Sequence, residues 1–185
     1  MADIISHPRG RVTAARERAQ AQDAEPVPAS GSEADDIIEL LFFAYRDFIS
    51  DPDAILADFG FGRAHHRVLH FVDRHPGMRV ADLLEILKIT KQSLGRVLKQ
   101  LIDSGFVEQQ PGALDRRERL LFTTAQGGEL AARLREPQSR RINDALAGLS
   151  LEARRQVAGF LLAMVNETER EDVAGRVYEN ERPRP

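Results

Sequence analysis

Apolar residues recur at helical spacing in the middle of this chain. Val80, Leu83, Leu84 and Leu87 fall at i, i+3, i+4 and i+7, which predicts a helix with one buried face. A tight turn at Lys88-Ile89-Thr90 follows, and Thr90 is a short polar residue able to cap a second helix starting near Lys91. Leu94, Val97, Leu98 and Leu101 repeat the same period there. Lys91, Gln92, Ser93, Arg96 and Lys99 are left pointing outward, with no carboxylate before Asp103, and Gly95 lies inside the helix. Ser104-Gly105 then supplies a stop tolerant of positive φ. Phe106 to Gln110 reads as a strand, Pro111-Gly112 breaks it, and Arg119 to Thr123 reads as the returning strand. The tip between them is Asp115-Arg116-Arg117-Glu118-Arg119. Two helices across a tight turn, followed by a basic hairpin, predict a winged helix-turn-helix.

The flanking segments are also apolar at helical spacing. Ile37, Leu40, Leu41, Ala44 and Phe48 form one stripe, and Ile38, Phe42, Tyr45 and Ile49 a second, as in a helix buried between two partners. A long helix is expected from Thr124 towards Leu149, kinked at Pro137. Another starts at Ser150-Leu151-Glu152 and carries Val157, Phe160, Leu161, Met164 and Val165. These helices exceed what a small winged helix can cover, so a twofold dimer is the economical arrangement. The expected fold is mainly α with a small β-hairpin wing. Residues 1–34 read as a flexible arm, 35–171 as the folded domain and 172–185 as a flexible tail, with the winged helix-turn-helix at about 62–127 and dimerisation helices at about 36–50 and 128–171.

A helix that enters the major groove needs cations for phosphates and amides or guanidiniums for base edges. Lys91, Gln92, Ser93, Gly95, Arg96 and Lys99 in the second helix and Asp115, Arg116, Arg117 and Arg119 in the wing are therefore the candidate DNA-binding residues. An ordinary solvated helix face would account for the helix alone; the basic hairpin beside it favours double-stranded DNA.

Asp115-Arg116-Arg117, Leu121 and Thr124-Ala125-Gln126-Gly127 resemble the D-R-R-x-x-x-L-x-L-T-x-x-G signature of MarR-type transcriptional regulators. Leu101 to Val107 stands where that family has L-x-x-x-G and two hydrophobic residues, and the resemblance covers about Asp35 to Arg170. There are two departures: Gln109-Gln110 replaces a frequent Arg, and Thr123 replaces the apolar residue before the Thr. The resemblance implies a homodimer on a pseudo-palindromic operator, with Asp115 bracing Arg117 and Arg117 reaching into the minor groove. It also implies a cleft that takes a small aromatic or anionic effector, for which Tyr45, Arg63, His65 and His66 would be suitable.

Composition narrows the alternatives. The 185-residue chain has a net charge of −3, yet between Lys88 and Arg119 seven cations face four anions, and the local field governs phosphate contacts. The absence of cysteine excludes disulfides, thiolate metal sites, nucleophilic thiols and the cysteine-oxidation switch of the family's peroxide-sensing branch. No apolar run reaches the roughly 20 residues of a membrane span, and no signal-peptide core is present, so a cytoplasmic protein without membrane contact is expected. No phosphate loop or nucleophile elbow is found, so neither an enzyme nor a cofactor is expected.

Four of the five histidines lie between His65 and His75. His66 and His70 are at i and i+4, a spacing compatible with metal or haem iron, although no third ligand follows from spacing and such residues also bond backbone or carboxylates. A histidine-based metal or haem sensor is thus one alternative function. A winged-helix interaction module without DNA binding is the other.

Overall fold

The computed structural model describes residues 30–112 and 115–178. Helix α1 (Gly31–Ala57) leads to α2 (Arg63–Arg74), strand β1 (Met78–Arg79), α3 (Val80–Leu87) and α4 (Lys91–Asp103). Strands β2 (Val107–Pro111) and β3 (Arg119–Thr123) precede α5 (Ala125–Leu146), α6 (Leu151–Ala163), a 3-10 turn (Glu167–Glu169) and α7 (Arg170–Tyr178). The mainly helical architecture and the hairpin follow the expectation.

Contacts divide the chain between Phe43 and Ala44 into two units. The described part of the first is the beginning of α1, where Ile38, Leu40 and Phe42 are 51%, 65% and 71% exposed. The second holds the core, in which Leu56 of α1 and Val68, Leu69 and Val72 of α2 pack with Leu83 and Leu87 of α3. Leu94, Val97, Leu98 and Leu101 complete it from α4, Val107 and Leu121 from the sheet, and Leu130 and Leu134 from α5. All four of the apolar positions read in α4 are buried.

The sheet is antiparallel in the order β1-β3-β2. In the hairpin Val107 pairs with Thr123 and Pro111 with Arg119. The third strand was not foreseen: Met78 and Arg79 pair with Leu121 and Leu120, and Gly77 starts it at φ +84° by donating its N–H to Leu121 O at 2.8 Å. A two-residue strand has no period to read; only its distant partner makes it one.

Several boundaries differ from expectation. The arm expected over 1–34 gives way to helix at Gly31, and its residues 1–29 lie outside the described ones. Helix α1 continues past position 50 to Ala57, through Pro52. Proline has no N–H for the carbonyl four residues back. That carbonyl, Phe48 O, instead accepts from Gln138 Nε2 of α5 at 3.3 Å, so a tertiary contact supports the helix where its own ladder fails. Helix α5 likewise runs as one element through Pro137. Residues 172–178, expected as tail, are helical in α7, where Arg170 Nη2 bonds Ala163 O at 2.7 Å. The remainder of the tail lies outside the described residues.

Candidate nucleic-acid interface

The turn before α4 is made by Lys88, a non-glycine residue in the left-handed region at φ 51°, which reverses the chain within three residues. Thr90 then caps α4 as its chemistry predicts: Oγ1 accepts the N–H of Ser93 at 3.1 Å. The Thr90 hydroxyl also donates to Ser93 Oγ at 2.9 Å, so the Ser93 side chain belongs to the cap as well as to the exposed face. Lys91, Gln92, Gly95, Arg96 and Lys99 are exposed. Lys99 pairs with Asp103 at 2.6 Å, whereas Lys91, Gln92 and Arg96 have no ion pair or side-chain hydrogen bond among the described residues.

Helix and wing enclose a groove of about 710 Å³. Val80, Leu84, Leu98 and Ile102 line it with apolar atoms, and Lys91, Gly95 and Lys99 meet Arg117 and Arg119 across it. The fold thus brings five of the candidate residues to one groove from segments some twenty positions apart. Gln92, Ser93, Arg96, Asp115 and Arg116 lie outside it. At Gly95 an added Cβ would meet nothing within 4 Å among the described residues, so the glycine is not required there by packing against them.

The brace at the wing tip differs from the one expected. Asp115 Oδ1 accepts the backbone N–H of Arg117 at 2.8 Å and does not pair with its guanidinium. Asp115 O accepts from Glu118 N at 3.0 Å, and Gly112 N donates to Glu118 O at 3.1 Å, so the loop is shaped by its main chain. Residues 113–114 lie outside the described ones.

Arg79 is a site residue that the sequence reading missed. Its Nη2 lies 2.6 Å from Asp82 Oδ1 and its Nη1 3.6 Å from Glu118 Oε1, so it joins the start of α3 to the wing. The Asp82 carboxylate also accepts the Arg79 N–H at 3.0 Å, and the arginine holds it below the usual carboxylate range. A basic residue three before an aspartate at a helix start was the available signal.

The Thr124-x-x-Gly127 motif is a joint. Thr124 Oγ1 donates to Gly105 O at 2.6 Å and accepts Gly127 N–H at 3.0 Å, which caps α5 against the end of α4. Any Cβ at Gly127 would collide with the Phe106 carbonyl, so only glycine lets α5 approach the root of β2 this closely.

The four residues expected at an effector cleft stand in different settings. His65 is buried: its Nδ1 accepts the Gly62 N–H at 3.1 Å, its Nε2 bonds Gln100 Oε1 at 2.8 Å, and its ring stacks on Phe61. Both ring nitrogens are thereby committed. Arg63 pairs with Asp53 at 2.8 Å, and Tyr45 is exposed. His66 lines a cavity of about 110 Å³ with His70 and Gln138. Burial pushes His66 down, opposed by Asp53, and pushes His70 down to about 4, with Arg74 adding to the effect. A larger cleft of about 700 Å³ lies between α1 and α5, lined by Asp51, Arg133 and Arg141, and contains none of the expected four. Among the described residues no group of three His, Asp or Glu side chains could hold a metal ion, and no helix is long and apolar enough to cross a membrane.

Residues 59–118, which hold the helix-turn-helix and most of the wing, match the MarR family model. The chain is 49% identical over 123 residues to the HTH-type transcriptional regulator PetP of Rhodobacter capsulatus, covering 66% of this chain and 72% of PetP. The chain belongs to the MarR family. Solved structures agree on the fold: the transcriptional regulator SlyA superposes with a TM-score of 0.59 at 23% identity, over 74% of this chain and 96% of SlyA. A MarR protein from Peptoclostridium difficile gives 0.61 at 20% identity, over 80% and 97%. The protein is therefore a MarR-family transcriptional regulator with a winged helix fold.

Proposed function

We propose that this MarR-family protein binds a pseudo-palindromic duplex as a homodimer, with α4 in the major groove and the Arg117 wing in the minor groove. The groove flanked by Lys91, Lys99, Arg117 and Arg119 carries the proposal. Arg96, Arg116, Arg117 and Arg119 form no ion pair among the described residues, so their charges stay available for phosphates and base edges.

The dimer rests on apolar side chains that one chain leaves in water. Helix α6 buries none of its residues, and Phe160, Leu161 and Met164 are each about half exposed. In the first unit Ile38, Leu40 and Phe42 are exposed likewise. Apolar surfaces of this kind mark interfaces, and a second copy related by a twofold axis covers them with the same residues. Two reading heads so related match half-sites about one helical turn apart.

Selection from a random duplex library tests the reading, combined with sedimentation at micromolar concentration. Expected are a dimer, a two-half-site sequence and an affinity that drops steeply with salt. Phe160→Asp should shift the protein to monomer and abolish tight binding. A stable monomer, or no sequence preference in the selected pool, overturns the proposal.

A further inference from the structure

His65 is the polar residue that the core contains among the described residues, at 8% exposure. Burying an imidazole costs desolvation that an aromatic hydrocarbon would avoid, and only its hydrogen bonds offset that cost. The two bonds go to different elements. Nδ1 accepts the N–H of Gly62, the residue that precedes α2, at 3.1 Å. Since a backbone N–H can only donate, the ring proton is on Nε2, which donates to Gln100 Oε1 of α4 at 2.8 Å.

The ring also lies flat on Phe61, with centroids 4.6 Å apart and planes within 10°. Phe61 in turn meets Phe106 edge-on at 5.3 Å, beside the root of β2. One imidazole thus ties the later turns of α4 to the start of α2 and, through two rings, to the base of the wing.

Helix α4 otherwise sits on the core through Leu94, Val97, Leu98 and Leu101. Such contacts are non-directional and tolerate a small rotation of the helix about its axis. A hydrogen bond is directional. Gln100 is one turn beyond Arg96, at i+4, so an angular slip permitted at Gln100 is passed to Arg96 within the same rigid helix. Base-edge recognition is sensitive to displacements of about 0.5 Å.

We propose that His65 is a positioning residue that fixes the rotation of α4 through Gln100, and thereby sets sequence discrimination without touching DNA. The inference rests on the DNA-reading function proposed above. It gives the buried histidine a role that core cohesion alone does not require.

The test uses the full chain and two duplexes of roughly 30 base pairs, long enough for both half-sites. One is the sequence that the unmodified protein selects from a random library; the other is unrelated in sequence. Gln100→Ala removes the acceptor from an exposed position, and His65→Phe keeps the stack while removing both bonds. Each should weaken binding to the selected duplex about tenfold and leave the unrelated duplex within about twofold, because phosphate contacts tolerate a rotation that base contacts do not. The double variant should be no worse than the weaker single one. His65→Gln, whose amide can donate to Gln100, should recover binding to within about threefold of the unmodified protein.

An unchanged ratio between duplexes in Gln100→Ala overturns the proposal, as do equal losses on both duplexes or additive losses in the double variant. If His65→Phe does not fold, Gln100→Ala decides alone. Failure of the unmodified protein to select any sequence overturns the DNA-reading function itself, whereas selection with an unchanged ratio in the variants overturns only the role of His65.

Discussion

The Asp115 carboxylate accepts the main-chain N–H of Arg117 at 2.8 Å, so it shapes the wing tip and leaves the arginine side chain unpaired among the described residues. A bond to the guanidinium would have competed with DNA for the same donors; a bond to the backbone does not. Arg117→Ala should fold and dimerise normally yet lose at least about tenfold in affinity for the selected duplex, roughly 1.4 kcal/mol. Asp115→Asn, which keeps an acceptor oxygen, should bind nearly as the unmodified protein does, and Asp115→Ala should fall between. Titration at matched salt measures all three, and full affinity in Arg117→Ala would remove the wing from the reading surface.

Arg96 is exposed on the outward face of α4, one turn beyond Gln92, and forms no ion pair among the described residues. A bidentate arginine–guanine contact discriminates by roughly 1–3 kcal/mol. Arg96→Ala should therefore relax the selected sequence at one or two positions per half-site. Repeating the selection with the variant reads this directly, and uniform weakening on all duplexes would make Arg96 a phosphate contact.

Gly95 lies in the same helix with open space where a Cβ would stand, and it lines the groove facing the wing. Alanine there relieves a helix-interior glycine worth about 1 kcal/mol. Gly95→Ala should raise the melting temperature by a few degrees while weakening binding to the selected duplex. Unchanged DNA binding in the stabilised variant would show that DNA does not approach the helix at this point.

Burial, ahead of the charges of Arg74, His66, Arg135 and His75, pushes His70 down to about 4 from an ordinary value of 6.5. The unfolded chain therefore takes up a proton at higher pH than the folded one. Stability should be complete above about pH 6.5, fall as the pH drops from there, and level off near pH 4. The contribution is on the order of 3 kcal/mol at most, at 1.36 kcal/mol per pKa unit. His66, also lowered by burial, acts in the same direction. Urea midpoints at pH 7.5, 6 and 5 should show the fall, and His70→Gln should flatten it. An equally steep fall in His70→Gln would assign the acid sensitivity to other groups.

What could be read in the chain depended on the range of the interaction. The cap at Thr90, the buried stripe of α4 and the glycine at Gly105 are local: each is fixed by residues within about four positions, so spacing alone exposes them. The exposed cations Lys91, Arg96 and Lys99 of α4 could be picked out for the same reason, since an outward position is defined by its own helix. That five of the candidate DNA-binding residues share one groove could not, because the groove is closed by the packing of helix against hairpin.

His65 illustrates the limit. As a residue type beside Arg63 and His66 it suits an anionic ligand, and nothing local says otherwise. Its partner Gln100 is 35 positions away, and the partnership turns a candidate ligand into a core residue. Helix α1 is similar, since Gln138, 90 positions on, supplies the donor that Pro52 lacks and lets the helix continue. The two-residue strand β1 exists only through Leu120 and Leu121. The sequence by itself determined the two helices of the helix-turn-helix, the cap at Thr90 and the basic wing, because backbone preference and periodicity act over one or two turns. Only the tertiary structure decided which polar groups were withdrawn from solvent and what they held in place, because a buried donor or acceptor must be matched by whatever partner folding brings to it, however far away in the chain.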